Sequence, residues 1–154
     1  TVLSRGLGDV YKRQRFGDPE CQVTLPLVKT DLFSLLHGAA TDGLSNVELE
    51  LHAGSSVTVV LASEGYPAAP VKGRPVIGFE EALATSTYGD CWVNVAGVAV
   101  SDEGQFIASG GRVLSCTAMG SDLAETQKTA YGLLSTIDLE GGHHRTDIAH
   151  RAMH

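Results

Sequence analysis

Within eight consecutive residues, from Arg15 to Gln22, the chain gathers four side chains suited to holding a charged ligand: Arg15, Asp18, Glu20 and Gln22. The Arg15 guanidinium is a planar fork of N–H donors that matches a carboxylate or phosphate. Gly17 permits a close approach of backbone to ligand, or a positive φ. Asp18 followed by Pro19 is a helix start, because Asp accepts from first-turn amides and Pro fits the first helical position. The stretch therefore predicts a loop feeding a helix N-terminus, where oriented N–H groups favour an anion. A second reading stays open: a capped helix beside a solvent-exposed arginine.

Three further groups could carry chemistry. Gly110-Gly111-Arg112 either aims an arginine into a cleft or forms a hairpin turn before a strand whose arginine faces water. Arg145 and Asp147 either wall a cleft or hold a docked tail as a local ion pair. His150 and His154 would share one face of a helix. No cysteine or carboxylate completes a set of ligands there, so zinc or nickel would bind only adventitiously.

The elements that must position these groups read as an α+β chain. Pro26 should break a helix begun near Pro19, close to Leu25. Leu32, Leu35, Leu36 and Ala39 predict a helix opening at Thr30 or Asp31, with Gly43 as its C-cap. Val47, Leu49 and Leu51 alternate as in a strand. The run 57–61 predicts a buried strand that ends at Gly65-Tyr66-Pro67. A short strand is expected at Val76-Ile77, one or two helical turns over 79–84, and a long strand over 91–100. A hairpin partner follows over 105–108 and a further strand over 112–117. Ser121 should cap a helix whose stripe is Leu123, Thr126, Ala130, Leu133, Leu134 and Ile137. A last short helix or turn is expected over 145–153.

Composition narrows the function classes. A chain of 154 residues with 43% hydrophobic and 19% charged residues can bury one real core. A formal net charge of -7 argues against nucleic acid as main partner. Three scattered cysteines suggest neither a disulfide framework nor a metal site, and a reducing cytoplasm is the expected setting. No apolar run has the length of a membrane span.

R-F-G-D-P-E-x-Q resembles the signature of the phosphoribosylamine–glycine ligases, also called glycinamide ribonucleotide synthetases, which are ATP-grasp enzymes of purine biosynthesis. Further matches follow in order: Lys29-Thr30-Asp31-Leu32, Gly65-Tyr66-Pro67, Gly110-Gly111-Arg112-Val113-Leu114, Ala118-Met119-Gly120, Ala130-Tyr131 and Arg145-Thr146-Asp147-Ile148. The resemblance implies that residues 15–45 end an ATP-grasp domain. Residues 46–154 would form a β-rich antiparallel C-terminal domain of barrel-sandwich or rudimentary hybrid-motif type with one long helix. It also implies the reaction. ATP phosphorylates the glycine carboxylate, and the amine of 5-phosphoribosylamine displaces that phosphate, so catalysis is mostly positioning and charge neutralisation. Arg15 would then steady the acyl phosphate or a substrate anion. Asp18 and Glu20 would hold the substrate amine or ribose hydroxyls, or support them, and Gln22, Arg112, Arg145 and Asp147 would complete the substrate-binding set.

ATP and Mg2+, or Mn2+, are what the resemblance implies for the full-length family. Its magnesium ligands, a Glu and an Asn, fall where this chain has Tyr11 and Arg13. Neither supplies the hard oxygen magnesium needs. Residues 1–14 resemble the translation of a sequencing-library adapter and are set apart from the fold. The expectation is a truncated C-terminal piece without ligase activity of its own, able to self-associate. The chain also departs from the family at Val95-Ala96-Gly97-Val98, where His-Ala-Gly-Thr is common, and at Ala149, where Gly is usual. Two rivals remain: a non-catalytic β-rich domain that binds a partner protein, and the C-terminal part of an ATP-grasp carboxylase, although no biotin-acceptor Met-Lys-Met is present.

Overall fold

The structure is a computed structural model that describes residues 16–41, 43–86 and 90–153. The readings placed on Tyr11, Arg13, Arg15, His154 and the adapter-like stretch lie outside those residues. A short helix, α1 (Glu20–Thr24), gives way to a single 3-10 turn, Leu25–Leu27, at the proline. Helix α2 (Leu32–Ala40) starts where expected. The Asp31 carboxylate accepts from the Ser34 amide at 2.8 Å and its hydroxyl at 2.7 Å. Those two bonds hold Asp31 below the usual carboxylate range. Gly43 is not a left-handed C-cap: its φ is -95°, and its amide closes back on the Gly38 carbonyl at 2.9 Å.

The alternating stretch after it does not build a strand. Leu44–Asn46 is one 3-10 turn, and the extended residues beyond join the 27–30 segment through a few backbone bonds, such as Lys29 N to Glu50 O at 2.9 Å. The physical reason is visible in the burial: Leu49 and Leu51 stay 57% and 58% exposed, so the alternation has no core to face.

The rest of the chain runs β1 (Ser55–Ala62), β2 (Val76–Ile77), α3 (Phe79–Ser86), β3 (Cys91–Val95), β4 (Val98–Val100), β5 (Phe106–Ala108), β6 (Arg112–Gly120), α4 (Leu123–Leu134) and β7 (Asp138–Leu139). The main sheet is antiparallel in the order β1-β6-β3, and β2-β7 and β4-β5 form two small ribbons. The expected long strand over 91–100 is two strands. The chain turns at Ala96-Gly97, so β4 leaves the main sheet and pairs with β5 instead. The cap of α4 is Asp122 rather than Ser121. Asp122 has the extended backbone an N-cap needs, and its carboxylate accepts from the Glu125 amide at 3.0 Å. The carboxy-terminal segment holds only a 3-10 turn, His150–Ala152, too short to present a helical histidine face. Among the described residues no helix is long and apolar enough to cross a membrane.

Register explains the core. Val57, Val59 and Leu61 lie opposite Ala118, Cys116 and Leu114, which in turn face Cys91, Val93 and Val95 on β3. Successive side chains alternate across a sheet, so all of these share one face. Thr126, Ala130, Leu133 and Leu134 of α4 are buried, with Ile137 just beyond the helix, as the stripe predicted. Burial pushes the Cys116 thiol up to about 12. A raised thiol favours the folded state at pH values below about 9, and that contribution is lost as pH rises from about 9 toward 12. Iodoacetamide at pH 8 is therefore expected to leave Cys116 unmodified in the native chain and to label it fully in urea. Native labelling at Cys116, read by peptide mass, would contradict this.

Ala149 is the described non-glycine residue with positive φ, at 65°. A side chain in the left-handed region costs about 1–2 kcal/mol. Ala149→Gly is expected to raise stability by about 0.5–1 kcal/mol, since the unfolded-chain entropy that glycine adds offsets part of the relief. An unchanged or lower urea midpoint would count against that strain.

Candidate functional site

Asp18 does not cap α1. The N-cap position is Pro19, with no side-chain cap bond. A stronger partner claims Asp18 instead: Arg112 Nη2 lies 2.8 Å from Asp18 Oδ2, and Arg112 Nη1 donates to the Asp18 carbonyl at 2.8 Å. Two N–H groups of one guanidinium thus close on a single residue 94 positions away. Gln22 Nε2 reaches Asp18 Oδ1 at a long 3.4 Å, while its Oε1 accepts from Cys21 Sγ. Glu20 is exposed on the first turn of α1.

The strand end that carries Arg112 is tightly built. Gly110 and Gly111 do not form a hairpin, because β5 pairs with β4 and β6 pairs with β1 and β3. The Ser63 amide donates to Gly111 O, and the Ser63 hydroxyl to Gly110 O, both at 2.8 Å. A Cβ on Gly111 would strike the Tyr66 ring and crowd Pro70. The Gly97 amide donates to Arg112 O at 3.0 Å, and Ser109 donates back to Gly97 O at 2.8 Å. A register shift between Leu61 and Ala62 sets Ala62 opposite Arg112, leaving Val113 as the extra residue. The Arg112 side chain stays 36% exposed, but its guanidinium turns onto Asp18 rather than standing free in water. The D-P-E, G-Y-P and G-G-R stretches, distant in sequence, meet at one corner.

Behind the clasp is a cavity of about 30 Å³, room for one water, lined by Asp18, Gln22, Asn94, Arg112 and Ser115 among others. It lies on the sheet face opposite the core, where Thr58 and Thr117 share a 2.7 Å hydrogen bond and Asn94 Nδ2 donates to Thr117 at 2.8 Å. Sequence reading missed Ser63, Asn94 and Ser115. The alternation of Trp92 and Asn94 against Cys91, Val93 and Val95 was a usable signal for Asn94, whereas nothing local marks Ser63. A separate groove of about 500 Å³ beside Ile77, Phe79 and Phe106 contains none of the residues singled out from the sequence.

Arg145 and Asp147 form their own bidentate pair, Nε to Oδ1 at 2.8 Å and Nη2 to Oδ2 at 2.6 Å. That pairing lowers the Asp147 carboxyl and raises Arg145. The Tyr131 hydroxyl donates to Arg145 O and accepts from the Ile148 amide, which docks the tail on α4. Among the described residues no hydrogen bond or ion pair joins this pair to Asp18 or Arg112. No three His, Cys, Asp or Glu side chains converge as a metal would require, again among the described residues.

The family model for the phosphoribosylglycinamide synthetase C domain matches residues 56–151. The phosphoribosylamine–glycine ligase of Leifsonia xyli is 44% identical over 155 aligned positions, covering 98% of this chain and 36% of that protein. The ligase of Streptomyces coelicolor is 42% identical, with the same two coverages. The Arabidopsis thaliana chloroplastic ligase is 41% identical over 90% of this chain and 26% of its own length. The crystal structure of the Thermotoga maritima ligase matches with a TM-score of 0.63 and 34% identity, over 86% of this chain and 31% of that one. The chain thus spans between about a quarter and just over a third of the length of these relatives. Sequence motifs, a mixed α/β architecture with small antiparallel sheets and the matched C domain agree: the chain belongs to the phosphoribosylamine–glycine ligase (phosphoribosylglycinamide synthetase) family.

Proposed function

We propose that this chain supplies the C-terminal segment of an ATP-dependent ligase that forms a carbon–nitrogen bond between glycine and 5-phosphoribosylamine, through a glycyl phosphate. The observation that carries the reading is the match of residues 56–151 to the phosphoribosylglycinamide synthetase C domain, to which the Asp18–Arg112 clasp ties the Asp18-Pro19 turn. In this reading Arg15 steadies the acyl phosphate, as a guanidinium fork suits an anion. Glu20 holds the substrate amine or ribose hydroxyls or supports them, and Gln22 belongs to the same substrate-binding set. Residues 15–45 close the ATP-grasp domain, and residues 46–154 form a C domain of barrel-sandwich type. ATP supplies the phosphoryl group when bound, together with Mg2+ or Mn2+. No step is assigned to a metal held by Tyr11 or Arg13, whose side chains lack the needed oxygen set.

The test is a chimera that joins the upstream part of the Streptomyces coelicolor relative to residues 15–154. Release of ADP dependent on both glycine and phosphoribosylamine is the expected result. An intact chimera that binds ATP but turns over neither would overturn the reading. The 154-residue chain alone is expected to show no turnover.

Helix α2 bears on assembly. Phe33 is 73% exposed, Leu36 48% and nearby Leu44 50%, large apolar side chains that favour covering by a partner. The isolated chain is expected to self-associate, and Phe33→Glu with Leu36→Glu to shift it toward monomer. A concentration-independent monomer mass by light scattering would contradict this.

A further inference from the structure

We propose that Arg112 is a positioning residue: it acts through Asp18, fixing the segment from Phe16 to Thr24 against the main sheet, and does not itself bind substrate. Its catalytic consequence rests on the ligase reading above. The geometry supports it in three ways. First, Arg112 directs both terminal nitrogens at Asp18, one to the carboxylate and one to the backbone carbonyl. A guanidinium so engaged has its Nη1/Nη2 edge occupied, and that edge cannot also grip a phosphate. Second, the carbonyl it engages sits just ahead of α1, so the bond fixes the backbone and not only a side chain. Third, the Arg112 end is rigid, held by Gly97, Gly110, Gly111 and Ser63, whereas α1 has no buried residue of its own. A short helix with little buried area depends on such a tie for its position. The substrate-binding role suggested for Asp18 and Arg112 is replaced by a mutual one.

The experiment has two arms. In the full 154-residue chain, amide hydrogen exchange over 17–24 is followed by mass spectrometry. Arg112→Ala and Asp18→Ala should each speed exchange there about tenfold, equivalent to about 1.4 kcal/mol. The double variant should be no faster than either single, and exchange over 113–119 should stay unchanged. Arg112→Lys and Asp18→Asn, which disturb the fold less, should give intermediate values. Unchanged exchange over 17–24, or single effects that add, would overturn the clasp. In the chimera, Arg112→Ala should lower kcat by 10-fold or more with each KM within threefold, and Asp18→Ala should match it. A selective rise in KM for one anionic substrate, with kcat intact, would overturn the positioning role in favour of direct contact. A parent chimera without turnover, alongside the exchange pattern stated, removes the ligase reading and leaves the clasp standing.

Discussion

Leu114→Ala is expected to lower the unfolding free energy by about 3 kcal/mol, within the range for a large-to-small change at a site that cannot collapse. Leu114 is 1% exposed on the central strand, opposite Leu61 on one side and Val95 on the other. Strand β6 is buried along most of its length, so its neighbours are held by two ladders and cannot close over the void. For a chain of this size the melting temperature should fall by about 10 °C. Urea unfolding should show a lower midpoint with an unchanged slope. A loss below about 1 kcal/mol would mean that the sheet relaxes far more than its register suggests.

Gly97→Ala is expected to cost about 2 kcal/mol. Its effect is local and steric. An added Cβ would lie 2.7 Å from the Arg112 carbonyl oxygen and 2.9 Å from Gly110 backbone atoms, and neither belongs to a flexible side chain. The displaced group is the backbone that presents Arg112, so the same variant should also speed exchange over 17–24. Gly132→Ala provides the contrast, since an added methyl meets nothing within 4 Å on helix α4. There the expected change is neutral or stabilising, because alanine suits a helix better than glycine. If both substitutions behave alike, close packing at the Gly97 corner is not what fixes Arg112.

Much of the fold was legible from local pattern. The buried run from Val57 to Leu61, the turn at Gly65-Tyr66-Pro67, the break at Pro26 and the stripe on α4 all stand where periodicity and turn chemistry put them. Each depends on a preference within a few residues, which a single sequence carries in full. The errors arose where two local rules competed. Ser121 and Asp122 both suit an N-cap, and the backbone before α4 chose the second. Residues 91–100 read as one β run because nothing in the period reveals that Gly97 must turn under the Arg112 carbonyl.

The chemical inventory was in the sequence too: the R-F-G-D-P-E stretch, the paired glycines before Arg112 and the Arg145–Asp147 spacing. Those residues alone also pointed to the ligase family. What they could not determine was who holds whom. Asp18 had equal local claims to a helix amide and to a substrate, and the structure pairs it with an arginine 94 positions away. Only the antiparallel register of β6 between β1 and β3, with its shift beside Ala62, brings that arginine within reach. Local preferences are additive along the chain and can be read in place. A contact between distant segments exists only once the sheet has closed, because closure alone sets which donor and acceptor meet.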